Sequence, residues 1–471
     1  MAGIGFELQR LGRRGDLTGQ IASFGYGAVV AAGPWLLTIV SLAIIGLVSG
    51  AFITANILAS FRITVVYAFA NSLVVTAPIA IICARLLSDA LYRKVPRAST
   101  TILMGGLLAA SISSGIIIAL LYFGVFALPL DLALPGIVST ILASMLWIAI
   151  TYCGATYDHI SIGVAFLLGV ILGLAGTLIP AAHIGTAASM VWGYNFGLAA
   201  TLFILLGRIL KTFPFRVPKL SQTVTRLLAG ATRYWIIAAG ALIGALALWI
   251  DKWIIWSSYL GQATIEGLPH SPDYDGAMFI AYISIVPSLA AFVIYLETGF
   301  FENYARYMSN VLGHATLATI EQAAERLEKA TIGTINSIIL LQISLCAFLV
   351  VFAPIIIDLL GMKYSQITIL KFGIAATIFH FIFLACSAII IFLDLRLTYL
   401  MLQIMFLTLS AMMTVFSLAL GPTYLGYGYL VACCISGAIA YIVATASLRR
   451  IDYYTFVAGI PKNRTVQSQA F

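Results

Sequence analysis

A chain of 471 residues with 62% apolar and 9% charged side chains cannot cover a soluble globular surface, which carries about 25% charged residues. Six cysteines are too sparse for a secreted disulfide scaffold, and the hydrophobicity excludes disorder. Long unbroken apolar runs exclude a transmembrane barrel, so the chain reads as an all-α integral membrane protein.

In chain order, residues 1–16 open with Ile4, Leu8 and Leu11 on one helical face and Arg10, Arg13 and Arg14 mostly off it. This predicts a short helix on the membrane surface or a basic topology signal. No small-residue cleavage site follows, so no cleavable signal peptide is expected. Twelve stretches are then long and apolar enough to cross a bilayer. They run over 28–50, 63–87, 99–123, 136–156, 160–180, 187–207, 234–256, 277–296, 332–358, 367–393, 397–420 and 424–448. A basic segment, 208–233, holds Pro214 and Pro218 and divides them six and six. The expected organisation is two six-helix bundles, 17–207 and 234–448, followed by a tail over 449–471. A faint echo supports two related halves: Val29-Val30-Ala31-Ala32-Gly33 opens the first span and Ile236-Ile237-Ala238-Ala239-Gly240 the seventh, with Pro78 and Pro287 inside the next spans.

Twenty-one of the 25 Lys and Arg residues fall on one side of this arrangement; Arg62, Lys252, Lys363 and Lys371 do not. Basic residues accumulate on the cytoplasmic side, so both termini are expected there, in a multi-pass bacterial inner-membrane protein. The net charge of +8 then faces anionic lipid, and nucleic acid is not needed to explain it. The longest inner hydrophilic stretch is 299–331. Glu325 lies four residues before Lys329, which supports a helix. Ile320, Ala324 and Leu327 give it a narrow apolar face, for the bilayer, for a partner, or for neither if it is a plain connector. All six cysteines lie in apolar spans and read as packing thiols.

No catalytic constellation stands out, so no enzyme is expected. Asp273-Tyr274-Asp275 sits in the outer loop 257–276 and reads as a solvated acidic loop. Five scattered histidines lack metal-ligand spacing, no nucleotide-binding loop exists, and no cofactor or metal is expected. Transport is the default role. Candidate pathway residues are polar groups at helical spacing inside spans, where polarity usually marks a cavity or a helix contact. They are Tyr67 and Asn71 in the second span, His380 in the tenth, and Tyr399, Gln403, Ser410 and Thr414 in the eleventh. Trp249, Lys252 and Trp253 end the seventh span on a face shared with Trp256, with Asp251 opposite. They read as an interfacial aromatic belt or as a ledge on which sugar rings stack. Arg85 and Asp89, four residues apart, could latch an inner gate; a snorkelling Arg with a local partner is the alternative.

Met1-Ala2-Gly3-Ile4-Gly5-Phe6-Glu7-Leu8, the arginines that follow, and Gly33-Pro34-Trp35 resemble the start of the PelG family of exopolysaccharide exporters. Length, twelve spans and the six-and-six division agree over the whole chain. The resemblance implies the multidrug/oligosaccharidyl-lipid/polysaccharide exporter fold, V-shaped with gated access. It also implies a polysaccharide cargo of the Pel type, rich in N-acetylgalactosamine and neutral in transit, a cytosolic glycosyltransferase and further inner-membrane subunits as partners. It carries over no site residue. Two other functions compete: a flippase for a lipid-linked oligosaccharide, and a cation-coupled drug antiporter. Pyrophosphate would call for several cations in the spans, which hold few. Against the antiporter, 28–50 contains no carboxylate. Gln403→Leu and His380→Leu are expected to lower export while leaving insertion intact.

Overall fold

The computed structural model describes residues 41–50, 52–156, 159–213 and 219–458. Among these, eleven helices are long and apolar enough to cross a membrane. The predicted first span, 28–50, lies largely outside the described residues; its end, α1, is helical over 41–49. The expected segment 1–16 lies outside them altogether.

The first half continues with α2 (Ala55–Tyr92), α3 (Ala98–Ala119), α4 (Leu130–Thr156), α5 (His159–His183) and α6 (Ala187–Thr212). The second half contains α7 (Leu220–Ala247), α8 (Ile250–Trp256), a two-residue hairpin of β1 (Gln262–Ala263) and β2 (Pro269–His270), α9 (Pro272–Ile283) and α10 (Val286–Tyr295). It ends with α11 (Phe301–Leu312), α12 (Leu317–Leu359), α13 (Gln366–Phe392), α14 (Arg396–Leu420), α15 (Tyr427–Arg449) and a last turn α16 (Ile451–Tyr453). Each half has its own hydrophobic clusters. The halves meet chiefly where α2 and α3 pack on α7.

Lipid gives helices no hydrophobic reason to associate, so close approach of backbones matters. Glycine supplies it in both halves. A Cβ on Gly193 of α6 would lie 1.6 Å from the Gly176 carbonyl oxygen of α5. One on Gly428 of α15 would lie 2.2 Å from the Met413 carbonyl oxygen of α14, and one on Gly437 would lie 2.6 Å from that of Phe379 on α13.

Three predicted spans differ in form. The seventh, expected over 234–256, is broken: α7 runs from Leu220 with a kink at Tyr234, the expected start, and the chain breaks again at Leu248–Trp249 before α8. The eighth, expected over 277–296, breaks at Ser284–Ile285 between α9 and α10. Pro287 explains that break, since its ring opposes the carbonyl four residues back and it has no N–H to donate. The ninth is much longer than 332–358, because α12 is one continuous helix of 43 residues.

Its first turns include much of the inner stretch 299–331. Lys329 meets Glu325 at 2.5 Å, as the spacing predicted. Ile320, Ala324 and Leu327 are buried against Phe300, Tyr307, Leu448 and Ile451. The narrow apolar face is therefore covered by α11 and by the end of α15 with α16.

Candidate functional site

The described residues line a cavity of about 300 Å³ between the two halves. The first half gives it an apolar wall of Leu42, Val65, Val66, Phe69 and Leu73, with Trp147 from α4. The second half supplies Trp249, Lys252, Trp256, Asp275, Tyr282 and His380, set among the apolar Leu248, Phe279, Ile285, Leu289 and Leu384. Both helix breaks reach the cavity, through Leu248–Trp249 and Ile285.

A charged group is costly here unless its partners are complete. Lys252 meets that condition. Its ammonium carries three donors, and they reach Asp251 at 3.0 Å, the Leu248 carbonyl at 3.1 Å and the Tyr282 hydroxyl at 3.1 Å. Tyr274 donates to the other Asp251 oxygen at 2.7 Å. Nζ also lies 4.8 Å from the centre of the Tyr282 ring. The expectation that Asp251 points away from Lys252 is thus corrected. Neighbouring residues diverge on a regular helix, but the lysine stem is long and curls back to its own helix.

The acidic loop reading is corrected as well. Asp273-Tyr274-Asp275 is the first turn of α9, with Pro272 at its start. Tyr274 is buried, and Asp275 accepts from Trp256 Nε1 at 2.9 Å and from the Ser271 N–H at 2.9 Å. Asp273 alone of the three faces outward, paired with Lys363 at 2.9 Å. Ser271-Pro272 before two acidic residues is a helix-start pattern, and that signal could have found it.

The aromatic cluster is not a belt. Trp256 is 5% exposed and lies 5.1 Å from the ring of Tyr67. Trp249 and Trp256 stand edge to face at 6.4 Å. Trp253 packs on the first half, against the cluster around Phe61 and Tyr122.

Above the cavity, at the end away from most basic residues, the β1–β2 hairpin of the second half crosses onto the first. Gln262 pairs with His270 and Ala263 with Pro269. The turn closes through Gly267 N–H to the Thr264 carbonyl at 2.9 Å, and Gly267 has φ +94°, which glycine tolerates without strain. Tyr67 donates to the Pro269 carbonyl at 2.9 Å, Ser60 donates to Glu266, and Leu268 is fully buried among first-half residues. Burial pushes the His270 imidazole below its usual range, so the ring is neutral at pH 7.

At the basic end a second set of polar contacts joins the halves. Arg85 donates to the Ile391 carbonyl at 2.9 Å and lies 3.8 Å from Asp394. Asp89 accepts from the Tyr234 hydroxyl at 2.5 Å and pairs with Arg233 at 3.4 Å. Arg85 and Asp89 therefore bind opposite partners rather than each other, because α7 and the α13–α14 turn bring charges to them across the interface. Arg396 holds Asp394 at 2.9 Å. Asp394 is half exposed, and such pairs contribute about 0–1 kcal/mol. Asp394→Asn is accordingly expected to change unfolding stability by less than about 1 kcal/mol. A larger loss on thermal unfolding in detergent would show that the network carries the interface.

The other sequence candidates separate into two groups. His380 reaches the cavity wall, with its ring 5.5 Å from Phe406 and Nδ1 3.9 Å from the Cys433 sulfur. Asn71 is buried, and its side-chain amide has no hydrogen-bond partner among the described residues. Tyr399, Gln403, Ser410 and Thr414 form the buried stripe of α14. There Tyr399 and Gln403 pack on Gly240 and Gly244 of α7, and Gln403 donates to Ser387 at 3.4 Å. Thr414 bonds the Ser410 carbonyl of its own helix at 2.7 Å. Sequence reasoning missed Trp147, Tyr274 and Tyr282, whose roles come from helices that meet only in the fold.

A sequence model of the family described as "PelG: Putative exopolysaccharide Exporter (EPS-E)" matches residues 1–456. Comparison with curated protein sequences finds no match. Among solved structures, the chain is similar to the Vibrio cholerae MATE transporter VcmN, in a mutant form. That match has 15% identity and a TM-score of 0.62, covering 92% of this chain and 99% of that one. A multidrug resistance MATE family transporter of the MOP superfamily matches in its outward-facing conformation with 14% identity and a TM-score of 0.59, covering 90% of this chain and 96% of that one. Its inward-facing conformation matches with the same identity and TM-score, covering 90% and 99%. At these identities the likeness establishes the fold alone.

Proposed function

We propose, from the premise that the chain belongs to the PelG family of exopolysaccharide exporters, that it carries a neutral polysaccharide across the membrane through the cavity between its halves. The observation that carries this reading is the cavity wall on the second half. It offers aromatic faces in Trp249, Trp256, Phe279 and Tyr282 and the His380 imidazole, while Asp275 beside them holds the Trp256 indole. Sugar rings present apolar faces and hydroxyls, and those are the matching surfaces. Lys252, the cation that the described residues place on that wall, already has all three donors engaged, which leaves little for a pyrophosphate.

The cargo is of the Pel type, rich in N-acetylgalactosamine. The basic end faces the cytoplasm of a bacterial cell across the inner membrane, by the distribution of Lys and Arg. A cytosolic glycosyltransferase and further membrane subunits meet the protein there, at residues 299–331, the basic segment 208–233 and the N-terminal segment. Tyr67, Asn71, His380, Trp249, Lys252 and Trp253 serve the pathway or its roof. Tyr399, Gln403, Ser410 and Thr414 support it from α14, and Arg85 and Asp89 close the inner end.

A second reading is favoured by the apolar wall of Leu42, Val65, Val66, Phe69 and Leu73: a flippase, with the lipid chain of a lipid-linked oligosaccharide on that side. The two readings separate in a deletion strain. Intracellular polymer without secretion supports the first, and an accumulated lipid-linked precursor supports the second. Leu289→Trp, which places an indole in the cavity, is expected to remove most secretion while the protein still reaches the membrane. His380→Leu is expected to lower secretion in the same way. Normal secretion from both variants would take the cavity out of the pathway.

A further inference from the structure

The hairpin ties one half to the other at the outer end. Residues 257–271 connect two helices of the second half, yet the hairpin's buried leucine sits mainly among first-half side chains and its two long-range side-chain hydrogen bonds go to the first half. Leu268 is seated among first-half side chains, Ser60 donates to Glu266, and Tyr67 donates to the Pro269 carbonyl. Tyr67 also stands against Trp256, which lines the cavity and is held there by Asp275. From cavity to hairpin the chain of contacts is therefore continuous: Asp275, Trp256, Tyr67, Pro269.

We propose that the Gln262–His270 hairpin is the outer gate of the cavity, a strap from the second half that must leave the first half before cargo can exit. The proposal rests on the transport reading above. Three physical points carry it. The contacts that seat the hairpin among the described residues are few and local, chiefly a buried leucine and two side-chain hydrogen bonds. Release would therefore open only the cluster around Phe61 and Tyr122 and leave the other core clusters of both halves in place. A strap joined to one half and seated in the other must respond when the halves part, as alternating access requires. And Trp256 belongs to both the roof and the cavity wall, so cargo that displaces its indole also disturbs the ring on which Tyr67 rests. Lids that close over a site commonly act on this pattern.

The test uses the full-length protein in cells. Ser60→Cys and Glu266→Cys are combined and bridged from outside by a short, reducible bifunctional thiol reagent. Bridging is confirmed by cutting the chain between the two sites and finding the fragments joined. Expected is loss of secretion on bridging, recovery on reduction, and no effect of the same reagent on the secretion of either single variant. Bridged protein that secretes at the unbridged rate would overturn the proposal.

A second readout does not depend on the cargo. Leu268→Cys is exposed to a membrane-impermeant maleimide. Labelling of the introduced thiol in cells, suppressed when the 60–266 bridge is present, is the expected result. A thiol at that position that is never labelled shows a fixed plug and overturns the gate. If its labelling follows the bridge but a deletion strain still secretes its polysaccharide, the gate stands and the exopolysaccharide reading fails.

Discussion

Lys252→Met is expected to lower unfolding stability by about 3–5 kcal/mol, the usual cost of leaving one charge of a buried pair alone. Asp251 is fully buried and, among the described residues, receives the ammonium and the Tyr274 hydroxyl. Removing the ammonium leaves a carboxylate in a low-dielectric site with one donor. The double variant Asp251→Asn, Lys252→Met removes both charges and keeps an acceptor for Tyr274. It should recover most of the loss, because replacing a whole buried pair is often close to neutral. The measurement is thermal unfolding of the purified protein in detergent, for the single and double variants side by side. A single variant as stable as the wild type would mean that water reaches Asp251. A double variant no better than the single would mean that Lys252 acts through packing on Trp249 and Tyr282 instead.

The second large effect is steric. Gly193→Leu places a Cβ 1.6 Å from the Gly176 carbonyl oxygen. Both sides of that clash are backbone, so no rotamer relieves it and α5 must separate from α6. Overpacking that side chains can absorb costs about 1–3 kcal/mol; here the loss is expected to exceed that range and to show as protein missing from the membrane fraction. Gly207→Ala is the control, since a Cβ there meets nothing within 4 Å. Equal yields of the two variants would show that the α5–α6 contact is dispensable.

Both predictions concern features that were legible in the sequence to very different degrees. The spans were legible because the bilayer demands long apolar stretches, and nothing in 367–393 or 397–420 competes with that signal. The buried stripe of α14 was legible too: Tyr399, Gln403, Ser410, Thr414 and Ser417 recur at helical spacing, and all are buried. The few charged groups on the cavity wall were not. Lys252 read as part of an interfacial face because it sits beside three tryptophans at the end of an apolar run, with Asp251 opposite it. Their real partners, Tyr274 and Tyr282, lie on α9, beyond the hairpin. Asp275 looked solvated because it follows a polar loop, and only the start of α9 turns it inward. Helical periodicity assigns a residue to a face of its own helix, but it does not say which other helix meets that face. The near absence of charge in the spans therefore held as composition and misled as structure: of the few charges present, Asp251, Lys252 and Asp275 come together at the cavity.

The long helix α12 has a mechanical consequence. At 1.5 Å per residue its 43 residues extend about 65 Å, and a hydrocarbon core of about 30 Å uses less than half of that. Arg449 holds Glu328 at 2.9 Å and Tyr441 holds Asn336 at 2.9 Å, which braces the polar end of the rod against α15. The apolar stretch from 332 on takes the larger part of the rod, and the 15 residues 317–331 before it extend about 22 Å. A tilt of about 10° within the membrane would sweep that polar arm through about 4 Å, and its brace on α15 means that α15 must move with it.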